Sequence, residues 1–168
     1  MGTGKSSVGR IVAEHLRFRF VDTDEVVESQ AGCSIAEIFA REGEAFFRQC
    51  ERQALADLAV EQNLVIAAGG GAVVDPANMA GLKSHAFVVC LWASAETIWQ
   101  RVQHQSHRPL LQTADPLARI RQLLESRSQA YRQADVLIHT GFRSPREVAS
   151  QVLHQFRKEV LEHRQFNP

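Results

Sequence analysis

Gly2-Thr3-Gly4-Lys5-Ser6-Ser7 runs straight into Val8-Gly9-Arg10-Ile11-Val12-Ala13-Glu14-His15-Leu16. Val8, Ile11, Val12 and Leu16 recur at helical spacing and predict one apolar stripe. A glycine-rich segment opening a helix, with Lys then Ser at the junction, is the right-hand part of Gly-x-x-x-x-Gly-Lys-[Ser/Thr]. Glycines let backbone N–H groups close around a phosphate, and the helix points its partly positive N-terminus at the same anion. In that reading Lys5 bridges β- and γ-phosphates and Ser6 ligates Mg²⁺.

Outward from this segment, strands and helices alternate. Phe18 to Val21 predicts a short strand ending at Asp22, followed by helical pieces at Asp24–Gln30 and Ser34–Ala40 and a long helix from Gly43 to Gln62. Leu64-Val65-Ile66-Ala67-Ala68, closed by Gly69-Gly70-Gly71, suits a strand buried on both faces. Pro76 opens a short helix, Ala86–Trp92 a second buried strand, and Ser94 caps a helix to Val102. The polar stretch 103–116 predicts a long functional loop. A helix over Leu117–Arg132, a strand over Asp135–His139 and a last helix opened by Ser144-Pro145 follow. Such alternation predicts an α/β fold, a parallel sheet with helices on both faces, and ligands bound beyond the carboxyl ends of the strands. The opening glycines, Asp22-Thr23-Asp24 and Gly69-Gly70-Gly71 all fall at that end.

Composition narrows the function. The chain has 168 residues, 45% of them apolar and 23% charged, which suits one globular domain. Lys+Arg and Asp+Glu are 19 each, and this zero balance argues against a dedicated nucleic-acid binder. Cys33, Cys50 and Cys90 form no Cys-x-x-Cys pair and suit a reducing compartment. No apolar run approaches the roughly 20 residues of a membrane span, and the opening lacks an apolar signal segment. A cytoplasmic monomer without membrane or nucleic-acid partners is expected.

Further polar motifs follow in order. Asp22-Thr23-Asp24 sets two carboxylates at a strand end, one able to face a metal and the other an organic hydroxyl; the same residues also suit a helix N-cap. Ser34-Ile35-Ala36-Glu37-Ile38-Phe39 contains a capping box and precedes Gly43-Glu44-x-x-Phe47-Arg48-x-x-Glu51. Gly69-Gly70-Gly71-Ala72 implies close approach of backbone to a helix or ligand. Arg108-Pro109-Leu110-Leu111 lies in the long loop, and Arg127-x-x-x-Tyr131 on the helix beyond it.

This succession resembles the shikimate kinase family, a branch of the nucleoside-monophosphate-kinase-like P-loop kinases, from Met1 to about Arg157. The resemblance implies a three-layer P-loop kinase domain over residues 1–158, a mobile lid at about 103–116 and a C-terminal tail at 159–168. It implies transfer of the ATP γ-phosphate to the 3-hydroxyl of shikimate, a step towards chorismate and aromatic amino acids, with Mg²⁺ as cofactor. Gly2, Thr3, Gly4, Lys5, Ser6 and Ser7 are then the ATP phosphate site, and Ser6 and Asp22 bear on the metal. Asp24 holds the shikimate hydroxyls and accepts the proton of the attacking one. Arg48 and Arg127 clamp the shikimate carboxylate, with Gly70 in backbone contact. Arg108 reaches the transferring phosphate, and Arg101 and Arg143 flank the adenine. Lys5, Asp24 and Arg108 are the catalytic set. A gluconate-like acid kinase and a non-catalytic shikimate-sensing relative are the alternatives; the arginine pair with Asp24 favours shikimate.

The family's central strand and the first glycine of its phosphate loop have no counterpart in the sequence from Met1 onward. The resemblance therefore implies that both lie upstream of Met1, and that the chain from Met1 alone is less stable and binds ATP more weakly.

Overall fold

The computed structural model describes residues 2–104, 111 and 113–166. Helix α1 (Lys5–Leu16) begins at Gly4, and its Val8 and Val12 stripe is buried. Strand β1 (Arg19–Asp22) leads into α2 (Thr23–Ala31), α3 (Ile35–Arg41) and α4 (Gly43–Leu58). Strand β2 (Leu64–Ala67) ends at the glycines, and a 3₁₀ turn (Ala72–Val74) leads to α5 (Pro76–Lys83). Strand β3 (Val89–Trp92) and α6 (Ala95–Val102) precede the long loop. Then come α7 (Pro116–Ser126), α8 (Ser128–Tyr131), β4 (Val136–His139) and α9 (Pro145–Phe166).

Caps set most of these boundaries where the sequence places them. Ser34 and Glu37 close a reciprocal capping box on α3, Ser94 accepts from the Thr97 amide on α6, and Asp75 caps α5 ahead of Pro76. Three boundaries differ most. Helix α4 stops at Leu58, and the chain turns through Asn63 in a left-handed conformation (φ 58°) before β2. The predicted helix from Leu117 is divided at Arg127, whose φ of −103° and ψ of 0° leave the helical region. Helix α9 continues to Phe166, through the stretch expected to be a tail.

All strand pairing is parallel. Strand β1 pairs with β2, Arg19 opposite Leu64, and β3 with β4, Val89 opposite Val136. The two pairs form separate two-stranded sheets. This modifies the expectation of strands buried on both faces: Leu64, Val65 and Ile66 are only half-buried, as are Val89 to Leu91. A strand hydrogen-bonded on one side keeps part of its surface open. Both sheets rest on the same helices. Val8, Val12 and α9 residues Val148, Ala149, Val152 and Leu153 form one core that takes in Val65 of β2, Val89 and Leu91 of β3, and Val136 and Ile138 of β4. Smaller cores join α6 to α7 and α2 to α3 and α4. Among the described residues no helix is long and apolar enough to cross a membrane.

The start of the second sheet is tied by polar groups. Asp135 accepts from the Val88 amide (2.7 Å) and pairs with Lys83 (2.8 Å), while Lys83 also donates to the Gln133 carbonyl (2.8 Å). Partial burial works to raise the Asp135 carboxyl, but the Lys83 and Val88 hydrogen bonds outweigh it and hold it below its ordinary value. A carboxylate depressed in the folded state stabilises above its unfolded value and loses that contribution as pH falls through the depressed one. Asp135→Asn should therefore cost about 1 kcal/mol near neutrality. Urea denaturation should show that gap closing as pH falls below the ordinary aspartate range.

Candidate active site

At the head of α1 the backbone turns through Gly2 (φ 64°) and Gly4 (φ 90°), a region that side chains rarely adopt. No side chain caps α1 and no acid stands in its first turn, so its first amides have no capping side chain and its partly positive end has no acid beside it. Gly2 is also packed: a β-carbon there would lie 2.9 Å from Val102. Thr3 is buried and Lys5 begins the helix, with Ser6 and Ser7 behind it.

Ser6 Oγ donates to Asp22 Oδ2 at 2.6 Å. The other Asp22 oxygen accepts from the Asp24 amide at 3.2 Å, so Asp22 also caps α2. Asp22 thus caps α2 with one oxygen and accepts from Ser6 with the other. Thr23, fully buried, donates to the Ala67 carbonyl (3.3 Å) and accepts from the Gly69 amide (3.2 Å). That hydroxyl, given no role by the sequence, fixes the start of α2 to the glycine turn.

Each of the three glycines makes room for a different side chain. A β-carbon on Gly69 would overlap the Glu51 carboxylate, and one on Gly71 the Arg48 guanidinium. One on Gly70 would stand 2.9 Å from the Tyr131 hydroxyl and 3.9 Å from Arg127 Nη1. Tyr131 donates to the Gly70 carbonyl at 3.1 Å. The break at Arg127 starts a new short helix that carries Tyr131 back to the turn.

Arg48 is fixed between two carboxylates of its own helix. Nη2 binds Glu44 at 2.8 Å and Nη1 binds Glu51 at 2.7 Å. Its guanidinium also lies 5.1 Å from the centre of the Phe47 ring. Burial opposes its charge, but the bonds to Glu44 and Glu51 outweigh that and keep it cationic. Glu51 is only 1% exposed, and its Oε1 has no hydrogen-bond partner. Burial pushes the Glu51 carboxyl up from its ordinary value, against the Arg48 bond, and the nearby Asp24 charge adds to the rise. Arg48 and Arg127 line one cavity of about 320 Å³ with Gly71, and Arg52 faces Asp75 at 3.5 Å on its wall.

The adenine-flanking candidates lie on the second sheet's side. Arg101 donates to the carbonyls of Gly2 (3.2 Å) and Thr140 (2.7 Å), and Arg143 to that of His139 (2.9 Å). Arg101 thus joins the phosphate loop to the end of β4. Arg108 and half of the expected lid, residues 105–110 and 112, lie outside the described residues.

An anion nest at one end and an arginine-lined cavity at the other, with two carboxylates between, divide the site as a P-loop small-molecule kinase does. The family described as shikimate kinase matches residues 1–157. The shikimate kinase of Caldanaerobacter subterraneus subsp. tengcongensis is 43% identical over 158 residues, 94% of this chain and 92% of its own. That of a Synechococcus species is 48% identical over 155 residues, 90% of this chain and 81% of its own. The structure of Acinetobacter baumannii shikimate kinase in complex with shikimate superposes with a TM-score of 0.91 at 38% identity, covering 95% of this chain and 89% of that one. The Aquifex aeolicus enzyme gives 0.83 at 35% identity, covering 96% and 94%. The chain belongs to the shikimate kinase family, ATP-dependent enzymes that phosphorylate shikimate.

The glycines separate two kinds of damage. Gly71→Ala meets the Arg48 guanidinium and pushes it off buried Glu51. Shikimate affinity should fall about tenfold or more, together with a loss of stability from the unpaired carboxylate. Gly69→Ala meets a buried carboxylate with nowhere to go and should cost about 1–3 kcal/mol of stability. Calorimetric titrations and thermal melts on both variants check the contrast.

Proposed function

We propose that this chain transfers the γ-phosphate of ATP to the 3-hydroxyl of shikimate, with roles divided among the residues of this one site. The observation that carries the reading is the pair Arg48 and Arg127 on a shared cavity beside the glycine turn, with Asp24 facing Gly69 next to Asp22. A small carboxylate is the ligand that two guanidiniums at such a cavity recognise.

The roles follow from the chemistry of each group. The amides around Gly2, Thr3 and Gly4 and the head of α1 hold the ATP phosphates, and Lys5 neutralises their charge. Ser6 Oγ and Asp22 Oδ2 are paired hard oxygens at that phosphate end, a donor set that suits Mg²⁺, which keeps waters and phosphate oxygens as its other ligands. Those two residues hold the ion, which when bound offsets the charge of the phosphates. Asp24, beside Asp22 but turned to the glycine turn, orients the shikimate hydroxyl and accepts its proton. Arg48 and Arg127 grip the carboxylate, and Gly70 lies against it. Arg108 reaches the transferring phosphate, and Arg101 and Arg143 flank the adenine. Positioning and charge neutralisation carry phosphoryl transfer, so little covalent chemistry is asked of the protein. The domain spans residues 1–158 with its lid at about 103–116 and acts as a monomer.

A coupled assay of ADP release should show turnover with shikimate and not with gluconate; the reverse outcome would sink the proposal, and silence with both would favour a sensing role. Arg127→Ala should weaken shikimate by about 1.5–3 kcal/mol and leave ATP affinity near that of the parent. The two aspartates should part company. Asp22→Asn should raise the Mg²⁺ requirement, and Asp24→Asn should remove turnover, in parallel titrations of metal and shikimate.

A further inference from the structure

Glu51 holds two arrangements at once. Its Oε2 accepts from Arg48 Nη1 at 2.7 Å, while its Oε1 is buried against Gly69 and accepts from nothing. The residue is 1% exposed, at the edge of the cavity that Arg48 and Arg127 line. An ionised carboxylate with one oxygen left bare in the interior is costly unless cations offset it. Arg48 from α4 and Arg127 from the α7–α8 break are the cations that face it, and Asp24 from α2 is the facing anion. Glu44, Arg52 and Asp75 line the adjoining cavity.

We propose that binding of the shikimate carboxylate is coupled to uptake of a proton at Glu51, so that this residue both holds Arg48 and absorbs the charge the substrate brings. The inference rests on the carboxylate clamp proposed above. Arg48 and Arg127 are the same cations that offset Glu51 in the free protein. A second carboxylate on them divides their positive field and adds a like charge beside an already bare oxygen. The response with the smallest rearrangement is protonation: one proton leaves solvent buffer, one O–H bond forms on Glu51, and the net charge of the site is restored. No bond of substrate or protein breaks.

The direction with pH is fixed by that balance. Glu51 already titrates above its ordinary value because of burial, and the substrate moves it higher. Binding therefore strengthens as pH falls through the bound-state value and levels off below the free-state value. It weakens again only where shikimate's own carboxylate is protonated, at about pH 4.

The test is calorimetric titration of shikimate into the full chain without nucleotide, over a series from about pH 5 to 8 in buffers of different ionisation enthalpy. The expected result is net proton uptake on binding that passes through a maximum along that series. In Glu51→Gln the uptake should fall to near zero and the affinity should become flat with pH. Should that variant fold poorly, the infrared difference spectrum of the parent on adding shikimate should gain a protonated-carboxyl band. Shikimate binding by the parent with no proton uptake would overturn the coupling and leave the clamp standing. Equal uptake in Glu51→Gln would move the proton to another group and also overturn it. No binding heat in the parent would remove the clamp and this inference together.

Discussion

Three successive residues after β2 leave no room for a β-carbon, and the arginine-lined half of the site is arranged around that constraint. Gly69, Gly70 and Gly71 let three side chains from two other parts of the chain close on one turn: Glu51, Tyr131 beside Arg127, and Arg48. A side chain on the turn would push its partner outward and enlarge the cavity that these groups define. The same turn is fixed from below by Thr23, whose buried hydroxyl bonds both Ala67 and Gly69. The position of Asp24, one residue later, is thereby set relative to the arginines.

The phosphate half depends on a different device. Gly2 and Gly4 adopt left-handed conformations, and α1 begins without a side-chain cap. Five other helices spend side chains on their starts: Asp22, Ser34, Asp75, Ser94 and Asp115 each accept from an amide of the helix they open. Among the described α-helices whose caps are defined, α1 alone combines a glycine cap with no acid in its first turn. Arg101 then ties Gly2 to Thr140, so the loop is held from the second sheet as well as by its own helix.

Much of this was legible because it is local. The Lys-Ser junction, the Asp-x-Asp pair, the capping boxes and the glycine triplet all read at short spacing, and their order points to the family that the comparisons then show. The long-range pairings were not legible. Nothing local says that Thr23 serves Gly69, or that Glu51 fills the space above it, since the partners stand 46 residues apart in the first case. The break at Arg127 also escaped, because its sequence carries no glycine or proline and continues in good helix formers. The strand runs read as doubly buried because apolar composition reports what a strand can bury, while its actual burial depends on neighbours on both edges.

The charge order across the site explains why two aspartates tolerate each other there. From the head of α1 to α4 the sequence of groups is cation and amides, two carboxylates, then arginines. Each carboxylate has its own positive side: Asp22 turns to Ser6 and the phosphate end, while Asp24 turns to the glycine turn that Arg48 and Arg127 share. A substrate whose hydroxyl meets Asp24 while its own carboxylate meets the arginines lies along that gradient, with its nucleophile towards the phosphates. Reversed, it would set carboxylate against carboxylate in a partly dehydrated cavity, where repulsion is screened far less than in water. The same electrostatics that bind the acid therefore orient it, and orientation is most of what phosphoryl transfer requires from the protein.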